Sequence, residues 1–101
     1  LHPAVLRAVK KVVEAAEQAG IPAIICGEMA GSPVYAAILV GLGATALSMN
    51  VGSMPRIRRL VSNIAFEEAR EIVKSLDKCK TTSEIENLIS REFQKHWAHL
   101  F

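Results

Sequence analysis

The sequence predicts an α/β fold in which helices alternate with short strands over the first two-thirds of the chain. Two observations carry this prediction. Amphipathic stretches of helical periodicity flank two short apolar runs, and residues 29–55 contain no charged side chain. Uncharged strands are typical of a parallel sheet that is covered on both faces.

The first predicted elements are a helix and a strand. Pro3 occupies the favoured first position of a helix that ends at Gly20. The expected apolar stripe of this helix consists of Val5, Val9, Val12, Val13 and Ala16. Residues 21–26, "IPAIIC", form a short apolar run and predict a buried strand. The turn "GEMAG" follows it.

The same order of elements then repeats. Ser32 and Pro33 predict the N-cap and first position of a second helix, which "GLG" ends. The run "ATALSMNV" predicts a second strand centred on residues 46–49. Ser53 is expected to cap a third helix with apolar residues at helical spacing, namely Ile57, Leu60, Val61 and Ile64. Helix–strand alternation of this kind implies parallel strands joined by crossovers.

The last third is predicted to be helical. The stretches "AFEEAREIVKSLDKCK" and "TSEIENLISREFQKHWAHLF" are amphipathic, and Ser83 with Glu86 is expected to form a capping box. Phe93, Trp97 and Phe101, spaced by four, form an apolar stripe that suits either packing within the chain or an interface. Two parallel strands do not make a stable sheet. The sequence therefore predicts a segment of a larger α/β domain whose open edges need partners.

Composition limits the classes of function. The chain has 101 residues and a net charge of +2, with acidic and basic residues mixed, so nothing points to a nucleic acid or membrane partner. Glycines and polar residues interrupt the uncharged region, which is shorter in its apolar part than the roughly 20 residues of a membrane helix. Two cysteines do not form a disulfide scaffold, so we expect a cytoplasmic protein. The initial leucine suggests a piece of a longer protein.

Cys26 is the principal candidate for chemistry. It lies where the first predicted strand ends and a glycine-rich turn begins, which is the end of a parallel sheet or barrel at which ligands bind. A thiol there can act as an acid, a base or a nucleophile. The alternative is a buried cysteine that packs as a small hydrophobic residue, and position alone leaves both possibilities open.

Other motifs give weaker signals. Gly41, Gly43 and Ala46 match G-x-G-x-x-A, but the motif ends a helix instead of opening one, so we reject dinucleotide binding. The run "RIRR", residues 56–59, can bind phosphate near a helix start, but a solvated helix face accounts for it without any ligand and is the preferred interpretation. The three histidines, His2, His96 and His99, fit no metal-ligand pattern with the cysteines. His96 and His99 are expected to share a helix face, but neither has a carboxylate or thiol companion at fitting spacing. We predict no metal ligand in this chain.

Four motifs carry a family resemblance. "LHPAVLR", "CGEMAG", "GLG" and "LSMN", in this order and spacing, resemble the C-terminal end of the phosphoenolpyruvate-utilising enzymes, and most of all enzyme I of the bacterial phosphotransferase system. "LSMN" and the opening residues are similar to the nitrogen-related, GAF-containing paralogue. The resemblance covers residues 1–64. Ser32 departs from the aspartate common in the family, and the variant "VGSMP" leaves the role of Asn50 open.

The resemblance implies a (β/α)8 barrel of the TIM type. Residues 1–64 would be its last β/α units, which bind phosphoenolpyruvate, and residues 65–101 a C-terminal helical extension of the same domain. Cys26 would be the catalytic proton donor to the enolate of pyruvate, and a free thiol, with a pKa of about 8.5, carries its proton at neutral pH. Gly27 and Gly31 would let the loop approach a small anionic substrate, and Glu28 would orient that loop.

The resemblance also implies a function. A phosphoenolpyruvate–protein phosphotransferase passes phosphate from phosphoenolpyruvate to its own histidine and then to a phosphocarrier protein. That histidine and the ligands of Mg2+ would lie outside this chain, the parent enzyme would be a homodimer, and the isolated chain would be inactive. A fragment of pyruvate phosphate dikinase or phosphoenolpyruvate synthase is the alternative enzyme. A non-catalytic interaction module, binding an acidic or nucleic-acid partner with strong salt dependence, is the alternative outside enzymes.

Overall fold

The predicted alternation of helices and strands is confirmed in the computed structural model, which describes residues 2–101. Within these residues the order is α1 (Pro3–Ala19), β1 (Ile24–Ile25), α2 (Pro33–Leu42), β2 (Ala46–Leu47), α3 (Met54–Asn63), α4 (Phe66–Leu76) and α5 (Thr82–His96). Short 3-10 turns lie at Met29–Gly31, Val51–Ser53 and Ala98–Leu100.

The two strands are parallel, as predicted. Ile24 pairs with Ala46 and Ile25 with Leu47. The backbone N–H of Ser48 donates to the carbonyl of Ile25 at 2.8 Å, which extends the pairing beyond β2. Both strands are shorter than the predicted runs at 21–26 and 44–51. In residues 2–101 each strand has one neighbour, so the pairing stops where these two segments diverge.

The prediction that the first strand is buried is wrong for part of it. Ala23 is buried, but Ile21 and Ile24 are 61% and 62% exposed. The physical reason is the size of the sheet: with two strands in residues 2–101, one face is covered and the other faces solvent. The apolar run indicated a strand buried on both faces of the sheet, but residues 2–101 supply elements that cover one face.

Helix α2 is the centre of the core, which explains why residues 33–42 of the uncharged segment carry no charge. Most of its residues are buried: Pro33, Ala36, Ala37, Ile38, Leu39, Gly41 and Leu42. The core around it also draws on α3, α4 and α5, through Leu60, Leu76, Ile85, Ile89 and other residues. A helix surrounded in this way has no face on which a charge would meet water. Among residues 2–101, no helix has the length and apolar character needed to cross a membrane.

Helix α1 begins and ends as predicted, but a different face is buried. Pro3 is at its first position, and Gly20, with φ +72°, ends it in the left-handed conformation. The buried residues are Pro3, Leu6, Val13 and Ala16. Val5 and Val12 are exposed, so the expected stripe is only partly right. Because the helix lies against the molecule along one narrow line, a wide band of valines cannot all face the core.

The predicted capping box on α5 is displaced by two residues. Thr81, in extended conformation, accepts a hydrogen bond from the Glu84 N–H through Oγ1 at 3.1 Å. Glu84 Oε2 accepts one from the Lys80 N–H at 3.1 Å. Ser83 already lies inside the helix, so it cannot serve as the cap. Glu86 instead accepts hydrogen bonds from the hydroxyl of Tyr35.

The aromatic stripe of the last third packs mainly within the chain. Trp97 is 2% exposed, and its ring meets that of Phe93 edge to face with centroids 6.1 Å apart. Phe101 stacks on Phe93 and remains partly exposed. The helix ends at His96 instead of continuing to the end of the chain.

The same region corrects the expectation that no histidine has a carboxylate companion. His96 lies between two glutamates, with Nδ1 3.3 Å from Glu68 Oε1 and Nε2 3.3 Å from Glu92 Oε2. Glu92 is one helical turn before His96, a spacing that brings the two side chains together. These contacts join the end of α5 to α4.

Candidate active site

Cys26 is an exposed free thiol at the carboxyl end of β1. The strand ends at Ile25, and the chain turns immediately at Gly27, which has φ +92°. This conformation is strained for residues with a side chain, so the glycine lets the loop leave the strand sharply. The structure therefore excludes the reading of Cys26 as a buried hydrophobic residue and leaves its sulfur accessible to a ligand.

A pocket of about 660 Å³ opens beside Cys26. It lies at the carboxyl ends of both strands, between the loop that follows β1 and the loop that follows β2. Its lining residues are Cys26, Gly27, Glu28, Gly31, Ser32, Pro33, Ser48, Met49, Asn50, Ser53 and Arg56. All the site residues predicted from the sequence, Cys26, Gly27, Glu28 and Gly31, are in this set. The predicted position at the strand ends is thus where the structure has a concave surface.

Gly31 is where the two loops of the pocket touch. A Cβ atom placed on it would lie 3.1 Å from Ser53 Oγ and 3.7 Å from the Cβ of Met49. The absence of a side chain at Gly31 therefore allows the β1 loop to pack on the β2 loop. Its expected contact with substrate stays a prediction.

Asn50 has a structural role that the sequence left open. Its Oδ1 accepts a hydrogen bond from the backbone N–H of Ser53 at 3.0 Å, and this bond holds the 3-10 turn that precedes α3. Ser53 was expected to cap α3 with its own side chain, but that side chain makes no capping hydrogen bond. The prediction failed because Ser53 itself has helical dihedral angles, φ −85° and ψ −21°, whereas an N-cap residue is typically extended.

Arg56 lines the Cys26 pocket, although the sequence did not indicate that it belongs to a site. Sequence reasoning treated residues 56–59 as one unit and preferred a solvated helix face. In the structure the three arginines diverge. Arg56 lines the Cys26 pocket, and Arg58 lines a neighbouring groove between β2 and α3. The Nη1 group of Arg59 donates to the Leu100 carbonyl at 3.1 Å. The helical turn of 100° per residue, which sends neighbours to different faces, was the available signal.

The groove lined by Arg58 adjoins the Cys26 pocket at Ser48 and Met49 and is more apolar. It has a volume of about 540 Å³ between β2 and α3, and Leu47, Met54, Ile57 and Val61 contribute to its walls. Cys26 is not among its lining residues. Of the two concavities beside β2, the one with a thiol, hydroxyls and charged groups is the better candidate for chemistry.

Comparison with known proteins places this geometry in a family. The model of a family described as "PEP-utilising enzyme, PEP-binding domain" matches residues 1–66, which include both strands and every residue that lines the Cys26 pocket. The chain belongs to the PEP-utilising enzyme family. The resemblance drawn from "CGEMAG" and its neighbouring motifs is thereby confirmed, with nearly the boundaries expected from the sequence.

Several relatives of this PEP-utilising family member carry names of the phosphotransferase system. It is 39% identical over 90 residues to "Phosphoenolpyruvate-dependent phosphotransferase system" of Salmonella typhimurium, covering 89% of this chain and 12% of the relative. It is 42% identical over 94 residues to "Phosphoenolpyruvate-protein phosphotransferase" of Chlamydia pneumoniae, covering 90% and 16%. A protein of the same name from Staphylococcus carnosus is 36% identical over 95 residues, covering 94% and 16%. The chain thus spans 12–16% of the length of these curated relatives.

The residues of this PEP-utilising chain do not by themselves fit a metal site. In residues 2–101, no three histidine, cysteine, aspartate or glutamate side chains come close enough together to hold a metal ion. Glu28 is the one carboxylate among the residues that line the pocket. The location of the Mg2+ ligands outside this chain stays a prediction.

Proposed function

We propose that this chain is the C-terminal part of a phosphoenolpyruvate–protein phosphotransferase, enzyme I of the phosphotransferase system. The full-length enzyme transfers the phosphoryl group of phosphoenolpyruvate to a histidine and then to a phosphocarrier protein. The observation that carries the proposal is the exposed Cys26 at the end of β1, inside a pocket of about 660 Å³. Family membership and the names of the relatives support the substrate and the reaction.

In the proposed reaction Cys26 gives a proton to carbon. When the phosphoryl group leaves for a histidine nitrogen, the phosphorus–oxygen bond of phosphoenolpyruvate breaks and the enolate of pyruvate remains. Its methylene carbon takes the proton from Sγ of Cys26, which forms the methyl group of pyruvate and leaves a thiolate. Because Cys26 is exposed, water can return a proton to the thiolate between turnovers.

The proposed parent domain is a (β/α)8 barrel, of which α1 to α3 with the two strands are the last units. Two features support it: the strands are parallel, and Ile24 faces solvent on the uncovered side of the sheet. Closure of a barrel would give each strand a second neighbour and cover that side. The phosphorylated histidine, a homodimer contact and a cytoplasmic location belong to the same proposal, as does the prediction that the isolated chain is inactive. The nitrogen-related branch stays a prediction.

The experiment uses the full-length protein that contains this chain, as wild type, Cys26→Ala and Cys79→Ala. Each is given magnesium and phosphoenolpyruvate labelled in its phosphoryl group, and histidine phosphorylation and pyruvate release are followed together. General acid–base groups contribute typically about 10²–10⁴-fold, so we expect turnover of Cys26→Ala to fall at least about 100-fold. Cys79→Ala should resemble wild type, since Cys79 does not line the pocket.

Two results would count against the proposal in different ways. If Cys26→Ala keeps its turnover, Cys26 is not the proton donor. If the wild type neither phosphorylates a histidine nor releases pyruvate, the chain is not part of a phosphotransferase, and the interaction module becomes the leading explanation.

A further inference from the structure

Arg56 is a cation in the Cys26 pocket that forms no ion pair within residues 2–101. It is the third residue of α3 and lies at the β2 side of the pocket, whereas Cys26 and Glu28 lie at the β1 side. Most basic side chains in residues 2–101 likewise form no ion pair, and Lys10, which pairs with Asp77 at 2.9 Å, is an exception. What distinguishes Arg56 is its position, since it is the one Lys or Arg among the residues that line the Cys26 pocket. A free guanidinium in a concave site is available for an anionic ligand.

We infer that Arg56 binds the anionic oxygens of the substrate and thereby directs its methylene carbon toward Cys26. This rests on the function proposed above, which supplies a three-carbon substrate with a carboxylate and a phosphoryl group. A guanidinium presents a planar pair of N–H donors that matches either group in a bidentate manner.

The remaining lining of the pocket supports this orientation. Glu28 is the one carboxylate at its edge and repels an anion from the β1 side. Ser48 and Ser53 offer hydroxyl groups on the β2 side, from which Arg56 also lines the pocket, and Ser32 offers one on the β1 side. The uncharged end of the substrate is therefore left for the Cys26 side, where the proton is delivered. Arg56 acts as a substrate-binding and positioning residue, and proton transfer itself remains with the thiol.

The test compares two thiol reagents at Cys26 in the full-length protein. Iodoacetate carries a carboxylate and iodoacetamide is neutral, and both react with the thiolate. Because both reagents react with the same thiolate, a change in the thiolate fraction affects both rates equally and cancels in their ratio. The ratio therefore reports how strongly the pocket attracts an anion. The rates are read from the Cys26 peptide by mass spectrometry, with the half-buried Cys79 as an internal check that the fold is intact.

We expect Arg56→Gln to lower the iodoacetate-to-iodoacetamide ratio at Cys26 about threefold at low salt, which is the effect of one charge several ångströms away in high dielectric. Arg56→Lys should keep most of the ratio. Arg58→Gln is the matched control, because it removes one charge from the same helix but lines the other groove. An unchanged ratio in Arg56→Gln, or an equal fall in Arg58→Gln, would overturn the inference.

A second arm identifies which group Arg56 holds. Pyruvate supplies a carboxylate and inorganic phosphate supplies phosphoryl-like oxygens, and each is tested for slowing the iodoacetamide reaction at Cys26. If pyruvate slows the reaction at Cys26 in the wild type but not in Arg56→Gln, Arg56 binds the carboxylate of the substrate. If inorganic phosphate gives this result, Arg56 binds the phosphoryl group. If neither anion protects the wild type, the inference is wrong.

The outcome is separable from that of the proposed function. The ratio of the two reagent rates can be measured without any phosphoryl transfer. If Arg56→Gln lowers this ratio but the wild-type protein shows no turnover, the pocket binds anions and the protein is not a phosphotransferase. If the wild-type protein turns over and Arg56→Gln leaves the ratio unchanged, the protein is a phosphotransferase in which Arg56 does not bind the substrate.

Discussion

At the scale of single residues, Tyr35 is the one side chain of α2 that carries a polar group. Its hydroxyl donates to Glu86 Oε1 at 2.8 Å and lies 3.0 Å from Oε2. This hydrogen bond, followed by desolvation and the negative charge of Glu86, raises the pKa of Tyr35 above its ordinary value of 10.0. The bond links the central helix to α5 and holds the phenol in its protonated form.

The raised pKa of Tyr35 predicts a loss of stability in alkali. Just above pH 10 the folded chain keeps the phenolic proton that the unfolded chain has released. The free energy of unfolding should therefore decline as the pH rises through that window, and this component should be missing in Tyr35→Phe. Tyr35 is the only tyrosine of the chain, so absorbance at 295 nm follows its titration alone. A midpoint at or below pH 10 would contradict the hydrogen bond to Glu86.

At the scale of elements, the contact between α2 and α4 depends on Gly41. A Cβ atom on this residue would lie 2.5 Å from the carbonyl oxygen of Ala69 and 2.9 Å from Cγ2 of Val73. The first of these is backbone and cannot move aside by rotating a side chain. A residue that ranks low in helix propensity thus occupies the last turn of α2 because it lets the two helices approach.

Gly41→Ala is predicted to destabilise the chain in spite of its better helix propensity. The substitution gains about 1 kcal/mol in propensity, but overpacking typically costs about 1–3 kcal/mol, and more where backbone must shift. We expect a net loss of about 2 kcal/mol in the free energy of unfolding, measured by urea denaturation. Gly52→Ala is the control, since its nearest contact would be an ordinary 3.5 Å, and it should change stability by less than about 0.5 kcal/mol. Equal stability of wild type and Gly41→Ala would refute the tight contact.

At the scale of the whole molecule, the sheet is incomplete within residues 2–101. It has two strands, and Ile24 faces solvent on its uncovered side. Each strand also has one edge without a partner in this part of the chain. Unpaired strand edges next to exposed apolar side chains favour association between chains.

The 101-residue chain is therefore predicted to self-associate. Light scattering should give a mass above the 11.0 kDa of one chain, rising with concentration. Ile24→Lys should shift the molecules toward monomers, because it places a charge on the uncovered side of the sheet. Val12→Lys is the matched control: Val12 is 62% exposed, as is Ile24, but lies on α1. A monodisperse monomer at all concentrations, or an equal effect of Val12→Lys, would show that the sheet is not the site of association.

The sequence by itself determined the order of elements, the parallel pairing and the position of the candidate site. Local signals were sufficient for these: Pro3 and Gly20 bound α1, an apolar run precedes Cys26, and "CGEMAG" identifies the family. Helix starts, turns and motifs depend on residues a few positions apart, so a linear reading captures them.

Only the tertiary structure decided which faces are covered and which side chains meet. The exposure of Ile24, the close packing of Gly31 on Ser53, which leaves little room for a Cβ atom, and the placement of Arg56 in the Cys26 pocket all depend on contacts between segments distant in sequence. Even the local cap of α5 went to Thr81 instead of Ser83, because the backbone conformation at the start of the helix selects among neighbouring hydroxyls. An apolar run indicates that a strand needs cover, but the number of elements folded around it decides how much cover it receives.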